Sequence, residues 1–278
     1  MKIGIIIQAR LASTRLPGKV LKCLPCSSNI TVLEQVIRRL KKSRLANEIV
    51  VATTTSIEDD EIIKIAQKEH VGWFRGSKED VLSRYYLCSK EKSLDIIVRI
   101  TSDCPCIDPE IVDKVIAAHI KAKTDYTFSC TEKVFSNGMD VEVFNIDVLK
   151  EAFLKGKDPY EREHVTPYFY RNSVCCNILK VELFRSQIGF PIRITLDTEE
   201  DYCLLCAVYD FLYAKDHYFG MKKIVDLFMR KPWLLLISKN VRQKKYCASI
   251  QDEIKEAAKI LDLQGLKMAS NLLKKTKN

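Results

Sequence analysis

Residues 2–8 form a nearly continuous apolar run with isoleucine at positions 3, 5, 6 and 7, the pattern of a strand buried on both faces. Short β-branched runs recur at 48–52, 95–100 and 140–144. Between them lie helical patterns at 31–42, 58–69, 79–91 and 109–121, the first with Val32, Val36, Ile37 and Leu40 on one face, the last with Ile111, Val112, Val115, Ile116 and His119. Strand and helix alternate. That order predicts an α/β fold with a mainly parallel sheet, helices on both faces, right-handed crossovers and ligands outside the carboxyl ends of the strands.

The second half is less regular. Residues 159–170 read as helical, 177–181 and 192–196 as short strands, and 198–213 as a long helix. The start of that helix, Asp197-Thr198-Glu199-Glu200, suits the positive end of a helix dipole. Beyond Gly220, residues 222–229 and 250–273 read as basic amphipathic helices. We place a boundary near 215, giving a main domain over 1–214 and a basic helical extension over 215–278.

A chain of 278 residues with 47% apolar side chains can bury one large core or one core plus an appendage. Its longest apolar runs, 3–7 and 234–237, fall far short of the roughly 20 residues that span a bilayer. No secretory signal is read at the N-terminus, so a cytoplasmic location is expected. Eleven cysteines are then expected as reduced thiols. The pairs Cys23/Cys26 and Cys203/Cys206 have zinc-ligand spacing, but the second lies in a stretch that reads as buried helix, so no zinc site is expected.

The net charge of +9 suggests nucleic acid until its location is examined. Residues 215–278 hold 15 Lys/Arg against 6 Asp/Glu, leaving 30 of each sign in residues 1–214. The neutral main body is not a general polyanion binder, and phosphate chemistry there requires placed residues. No nucleic-acid partner is expected.

The loop after the first strand, from Gln8 through Ala9, Arg10, Ser13, Thr14 and Arg15 to Pro17-Gly18-Lys19, offers three cations, two hydroxyls and a glycine. Such a loop can cradle a polyphosphate, with backbone amides approaching the oxygens while Arg15 and Lys19 neutralise charge. It matches neither the Walker loop nor GxGxxG, and composition alone leaves open a solvated basic loop.

The wording of the loop, Ile-Gln-Ala-Arg-Leu-Ala-Ser-Thr-Arg-Leu-Pro-Gly-Lys at 7–19, resembles the opening signature of the cytidylyltransferases that activate sugar acids, the CMP-Kdo and CMP-sialate synthetases. It resembles most their relatives named for spore coat polysaccharide synthesis. The likeness continues through residues 51–55, 74–85, 99–105, 140–144, 158–168 and 196–201, in the family's order. It implies a Rossmann-like nucleotidyltransferase fold (a three-layer sandwich), CTP as donor, Mg²⁺ as cofactor, a sugar-type acceptor, release of pyrophosphate and a homodimer.

Asp103 follows the strand at 95–100 and Asp197 ends another; two carboxylates at strand ends, joined by phosphate oxygens and waters, suit Mg²⁺. Both match the family's metal-binding aspartates. Alternatively, Asp103 caps a turn and Asp197 caps the helix that follows. Arg15 and Lys19 match the family's catalytic arginine and lysine, and Arg10 a third basic position. Gln8, Ala9, Ser13, Thr14, Thr101 and Ser102 are expected on the nucleotide. Arg75 and Ser77 match the region that reads the base, although Arg75 could equally pair with Glu79 or Asp80. Glu142, Glu161 and His164 match the acceptor region, although His164 could be a satisfied core or interface histidine. Two other readings stand beside this one: a nucleotide-sugar glycosyltransferase, or a catalytically silent protein working through its basic tail.

Overall fold

The computed structural model describes residues 1–130, 135–171, 176–183, 192–241 and 249–275. It forms two compact units, Met1–Asn240 and Val241–Asn278.

In the first unit, β1 (Ile3–Gln8), α1 (Val32–Leu40), β2 (Glu48–Thr54), α2 (Asp60–Lys68), β3 (Gly72–Gly76), α3 (Val81–Glu91), β4 (Ile96–Thr101) and α4 (Pro109–Ala122) alternate strand with helix; all but β3 fall on the stretches read from the sequence. The chain continues through β5 (Tyr126–Cys130), β6 (Phe135–Asn137), β7 (Glu142–Asn145), α5 (Ile146–Lys155), α6 (Pro159–His164), α7 (Pro167–Arg171), β8 (Ile178–Glu182), β9 (Ile192–Arg193) and α8 (Glu199–Leu212). It ends with α9 (Met221–Arg230) and α10 (Leu234–Ile237). Seven strands form one sheet in the order β3-β2-β1-β4-β7-β5-β8, and β6 pairs with β9 beside it. The sheet is mixed: β7 runs antiparallel to both β4 and β5, while the remaining pairs are parallel.

The period-two alternation of β1 divides its isoleucines between two cores. Ile3, Ile5 and Ile7 pack with α1, α2, α4, α8 and α9, whereas Ile6 packs with α3 and α5. The sheet is therefore the middle layer of a three-layer sandwich, as expected. Burial on both faces explains why β1 carries no alternating polar residues.

Capping sets the helix starts. Thr31 and Glu34 form a reciprocal capping box on α1, Asp80 accepts from Ser83 N on α3, and Asp108 accepts from Glu110 N ahead of Pro109 on α4. The stretch 159–170 is two short helices, because Val165 adopts φ 69° between them. The expected boundary at 215 falls between α8 and α9, inside the first compact unit. Ile224, Val225, Leu227, Phe228 and Leu234 join the core that α8 also lines.

In the second unit, the stretch expected as one helix over 250–273 is two, α11 (Ile250–Leu263) and α12 (Lys267–Lys275). Gly265 turns the chain between them at φ 76°.

His119 is 1% exposed on α4, with Nδ1 2.9 Å from Thr127 Oγ1 and Nε2 3.0 Å from Asn145 Oδ1. Burial pulls its pKa below the ordinary 6.5, more than the Asn145 bond and the Asp125 charge raise it. The unfolded chain then takes up the proton first as pH falls, so this contribution to stability is present above about 6.5 and is lost below it. Wild-type melting temperature should therefore fall by a few degrees more between about pH 7 and pH 5 than that of His119→Gln. Parallel slopes in calorimetric scans would contradict the assignment.

Candidate active site

Parallel pairing of β1 with β4 sets the site's frame. Gln8 lies opposite Thr101, and Ser102 N donates to Gln8 O at 3.2 Å, so the first loop and the loop holding Asp103 leave the same sheet edge. Leu196 N then donates to Asp103 O at 2.8 Å, and Thr195 Oγ1 to the same oxygen at 3.3 Å. That tie brings the turn at Asp197 against the end of β4.

Lys19 closes the arrangement. Its Nζ lies 2.7 Å from Asp103 Oδ2 and 2.9 Å from Asp197 Oδ1, with the side chain only 12% exposed. Arg15 Nη2 reaches Asp197 Oδ1 at 3.1 Å, and Arg193 Nη2 reaches Asp197 Oδ2 at 2.9 Å. Arg193 also makes a two-point contact with Asp201, Nε to Oδ1 at 2.7 Å and Nη2 to Oδ2 at 2.9 Å. The expected quartet of Arg15, Lys19, Asp103 and Asp197 is one ion cluster, drawn from positions up to 182 residues apart in sequence.

Burial by itself lowers the Lys19 pKa, but the Asp103 and Asp197 carboxylates outweigh it and hold the ammonium above its ordinary value. Burial likewise tends to raise Asp197, and Lys19, Arg15 and Arg193 together hold its carboxyl below the usual range. Both groups are thus kept charged by each other.

The local cap frees Asp197 for this role. Thr198 is the N-cap of α8, its Oγ1 accepting from Asp201 N while Asp201 Oδ2 accepts from Thr198 N. Asp201 Oδ2 also accepts from Asp197 N at 3.0 Å. With the cap supplied by its neighbour, the Asp197 carboxylate points into the ion cluster and not at the helix amides.

The other expected nucleotide residues are placed around the first loop. Gln8 Oε1 accepts from Arg99 Nη2 at 3.4 Å. Ala9 is buried and its N–H donates to Ala52 O at 3.1 Å. Ser13 N donates to Leu11 O at 2.8 Å, shaping the turn, and Thr14 is exposed. Arg10 is 40% exposed, with Nη2 3.9 Å from Glu163. Thr101 Oγ1 lies 3.2 Å from Cys104 Sγ, and Ser102 is buried beside it. Ser77 is exposed and its Oγ accepts from Asp80 N at 3.0 Å.

Arg75 pairs with neither Glu79 nor Asp80. Its Nε donates to Thr54 O at 2.9 Å, Nη2 to Ser56 O at 2.6 Å and Nη1 to Asp60 Oδ1 at 2.8 Å. All three nitrogens fasten the loop after β2, and the carboxylate partner is Asp60.

The acceptor residues lie on two elements. Glu142 on β7 pairs with Arg99 and accepts from Tyr126 Oη at 2.6 Å. Glu161 and His164 are on α6; Glu161 is buried with Arg171 at 3.7 Å, and His164 is exposed with its ring 4.4 Å from that of Tyr160. Arg193, Asp201, Arg99 and Tyr126 complete these networks and were not expected. For Arg193 and Asp201 the signal was present as spacing, since each lies four residues from Asp197.

Among the described residues, no group of three His, Cys, Asp or Glu side chains could hold a metal alone, and no helix is long and apolar enough to cross a membrane. Asp103 and Asp197 nevertheless already enclose one cation, the Lys19 ammonium. Two hard carboxylates and no third fit Mg²⁺, which usually completes its shell with waters and substrate phosphates.

The ion pairs of Arg193 predict a stability effect. Arg193 is 9% exposed and Asp201 almost fully buried, so Arg193→Leu leaves buried charge unpaired and should cost about 3 kcal/mol of unfolding free energy. A urea midpoint unchanged from wild type would refute this.

The cytidylyltransferase family model matches residues 4–254. An uncharacterised protein of Methanocaldococcus jannaschii is 38% identical over 250 residues, covering 88% of this chain and 98% of that protein. The spore coat polysaccharide biosynthesis protein SpsF of Bacillus subtilis is 33% identical over 212 residues, 74% of this chain and 86% of its own. The solved structure of a cytidylyltransferase from Leptospira borgpetersenii, 34% identical, superimposes with a TM-score of 0.78 over 89% of this chain and 100% of that one. The strand expected over 192–196 is only Ile192–Arg193, so Asp197 lies in the turn into α8 and ends no strand. A cluster of loop arginine and lysine with the aspartates after β4 and before α8, together with the family match and these relatives, makes the chain a member of the cytidylyltransferase family, a CTP-dependent nucleotidyltransferase.

Proposed function

We propose that this enzyme transfers CMP from CTP to an oxygen of a sugar or sugar-acid acceptor, releasing pyrophosphate, as a step in building a surface glycan. The observation that carries the reading is the bridging of Asp103 and Asp197 by Lys19 at the carboxyl edge of the sheet. The acceptor hydroxyl oxygen forms a bond to the α-phosphorus and gives up its proton to solvent, the bond from that phosphorus to the bridging oxygen breaks, and its electron pair leaves with pyrophosphate. Negative charge grows on the α-phosphate and the leaving group, so the demand on the protein is placement and charge stabilisation.

Arg15 and Lys19 meet that demand. Arg15, 39% exposed, is free to turn from Asp197 toward the triphosphate. Lys19, held charged by the two carboxylates, supplies a preorganised ammonium. Asp103 and Asp197 would hold Mg²⁺, which when bound offsets phosphate charge and polarises the phosphoryl oxygens. Gln8, Ala9, Arg10, Ser13, Thr14, Ser77, Thr101 and Ser102 surround the nucleotide. Glu142, Glu161 and His164 face the acceptor, with Arg99 and Tyr126 fixing the Glu142 carboxylate. The likeness to SpsF supports a glycan role.

Lys19→Ala and Arg15→Ala should each lower turnover by two or more decades, since one stabilising donor is worth about 3–4 kcal/mol in the transition state. Pyrophosphate release from CTP, screened over sugar acids with and without EDTA, is the assay. Turnover within a few-fold of wild type in either variant, or activity indifferent to EDTA, would overturn the corresponding role.

A further inference from the structure

The two CxxC pairs read in the sequence meet in the fold. Cys23 and Cys26 lie in a hairpin that follows Lys19, and Cys203 and Cys206 lie on α8. The hairpin has its own hydrogen bonds. Cys23 bridges to Thr31, Leu24 N donates to Ile30 O at 2.8 Å, and Gln35 Nε2 on α1 donates to Leu24 O at 2.6 Å. Ser28 N donates to Pro25 O at 2.9 Å, which closes a four-residue turn with Cys26 inside it. Cys26 is exposed there.

One face of α8 meets this hairpin. Tyr202 and Cys206 are four residues apart and share that face. Tyr202 Oη donates to Cys23 O at 2.9 Å, and Lys22 Nζ stands 4.7 Å from the centre of the Tyr202 ring. The Cys26 thiol is within hydrogen-bonding reach of both Tyr202 and Cys206. Two free thiols 180 positions apart in sequence are thus neighbours where hairpin and helix touch. Among the described residues no group of three His, Cys, Asp or Glu side chains could hold a metal, so a tetrahedral zinc site has too few ligands at this junction.

The two thiols differ as an attacking and a resolving thiol differ. Cys26 is open to solvent and Cys206 is half-buried. Burial, and after it the charge of Cys26, pushes the pKa of Cys206 up to about 12. Reaction at Cys26 removes the second of those causes.

We propose that Cys26 and Cys206 are a modification site, a thiol pair that a low-molecular-weight disulfide oxidises to a reversible cross-link between the hairpin and α8. The Cys26 thiolate attacks one sulfur of the small disulfide. That S–S bond breaks, the first small thiolate leaves with the electron pair and takes up a proton, and a mixed disulfide remains on Cys26. Cys206 gives its proton to solvent and its sulfur attacks that of Cys26, expelling the second small thiolate, which is protonated in turn. Two protein thiols are oxidised to one disulfide, and the small disulfide is reduced to two thiols.

Position gives the cross-link its effect. Lys19 precedes Cys26 by seven residues and Asp197 precedes Cys206 by nine, so the bond fastens the two segments that supply the Lys19–Asp197 ion pair. It also closes a long loop, which lowers the entropy of the unfolded chain. The inference goes beyond the transfer reaction and needs neither nucleotide nor acceptor.

The test is incubation of the full-length protein with oxidised glutathione, followed by non-reducing peptide mapping and a melting scan, on wild type, Cys26→Ser, Cys206→Ser and Cys203→Ser. Wild type should yield a peptide joining Cys26 to Cys206, melt several degrees above the reduced protein, and return to the reduced value with dithiothreitol. Cys203→Ser should behave as wild type. Cys206→Ser should stop at a glutathione adduct on Cys26, and Cys26→Ser should gain no stability from the oxidant. A bond within either CxxC pair, or a wild-type map with no peptide joining Cys26 to Cys206, overturns the proposal. A joined peptide with an unchanged melting temperature overturns the stabilising effect. The wild-type map decides even where a serine variant does not fold.

Discussion

The Lys19 ammonium, shared by Asp103 and Asp197, is the contact on which the site's geometry depends. It joins three segments distant in sequence: the first loop, the end of β4 and the turn into α8. Around it, Arg15, Lys19 and Arg193 face Asp103, Asp197 and Asp201, so the cations and anions are equal in number. Such a partly buried cluster is costly to form and costlier to break by halves. It keeps the site assembled without ligand, while leaving the most exposed member, Arg15, able to change partners when phosphate arrives.

That cluster in turn depends on strand register. Gln8 opposite Thr101 places the first loop beside the Asp103 loop, and the Leu196 to Asp103 hydrogen bond carries the register on to Asp197. Register here is strongly specified because β1 is buried on both faces; a one-residue slip would exchange Ile3, Ile5 and Ile7 with Ile6 between two cores of different shape. Apolar packing thereby fixes polar geometry. The capping box at Thr198 and Asp201 adds a local constraint, since it satisfies the amides of α8 without using Asp197.

Much of this was legible in the residues, and what was not has definite causes. The β1, β2 and β4 runs and the helices between them are long and periodic enough to be read directly. β5 and the helix at Ile146–Lys155 have shorter patterns, and nothing local in residues 142–145 says that β7 runs against its neighbours; that direction is decided by the strand pairing. The two divided helices turn on backbone conformations at Val165 and Gly265. At the site, the expected quartet converges, but sequence supplies identities and not hydrogen-bond occupancy. Arg75 and Arg84 lie in the same short segment, and only their surroundings distinguish a guanidinium with each nitrogen bonded from one with two nitrogens open among the described residues.

That occupancy also explains how a main body of 30 basic and 30 acidic residues handles a highly charged substrate. Arg99, Arg162, Arg171 and Arg193 are each committed to a carboxylate, which removes them from general attraction of polyanions. Arg10 and Arg15 remain substantially exposed on one loop, and Lys19 is restrained at its base. Within residues 1–214 the charges cancel, so affinity contributed there must come from groups that act at contact distance. Those groups measure the shape and hydrogen-bond pattern of a ligand as well as its charge. A site organised this way favours one nucleotide over the many other phosphates it meets, through the same internal pairing that neutralises the rest of the domain.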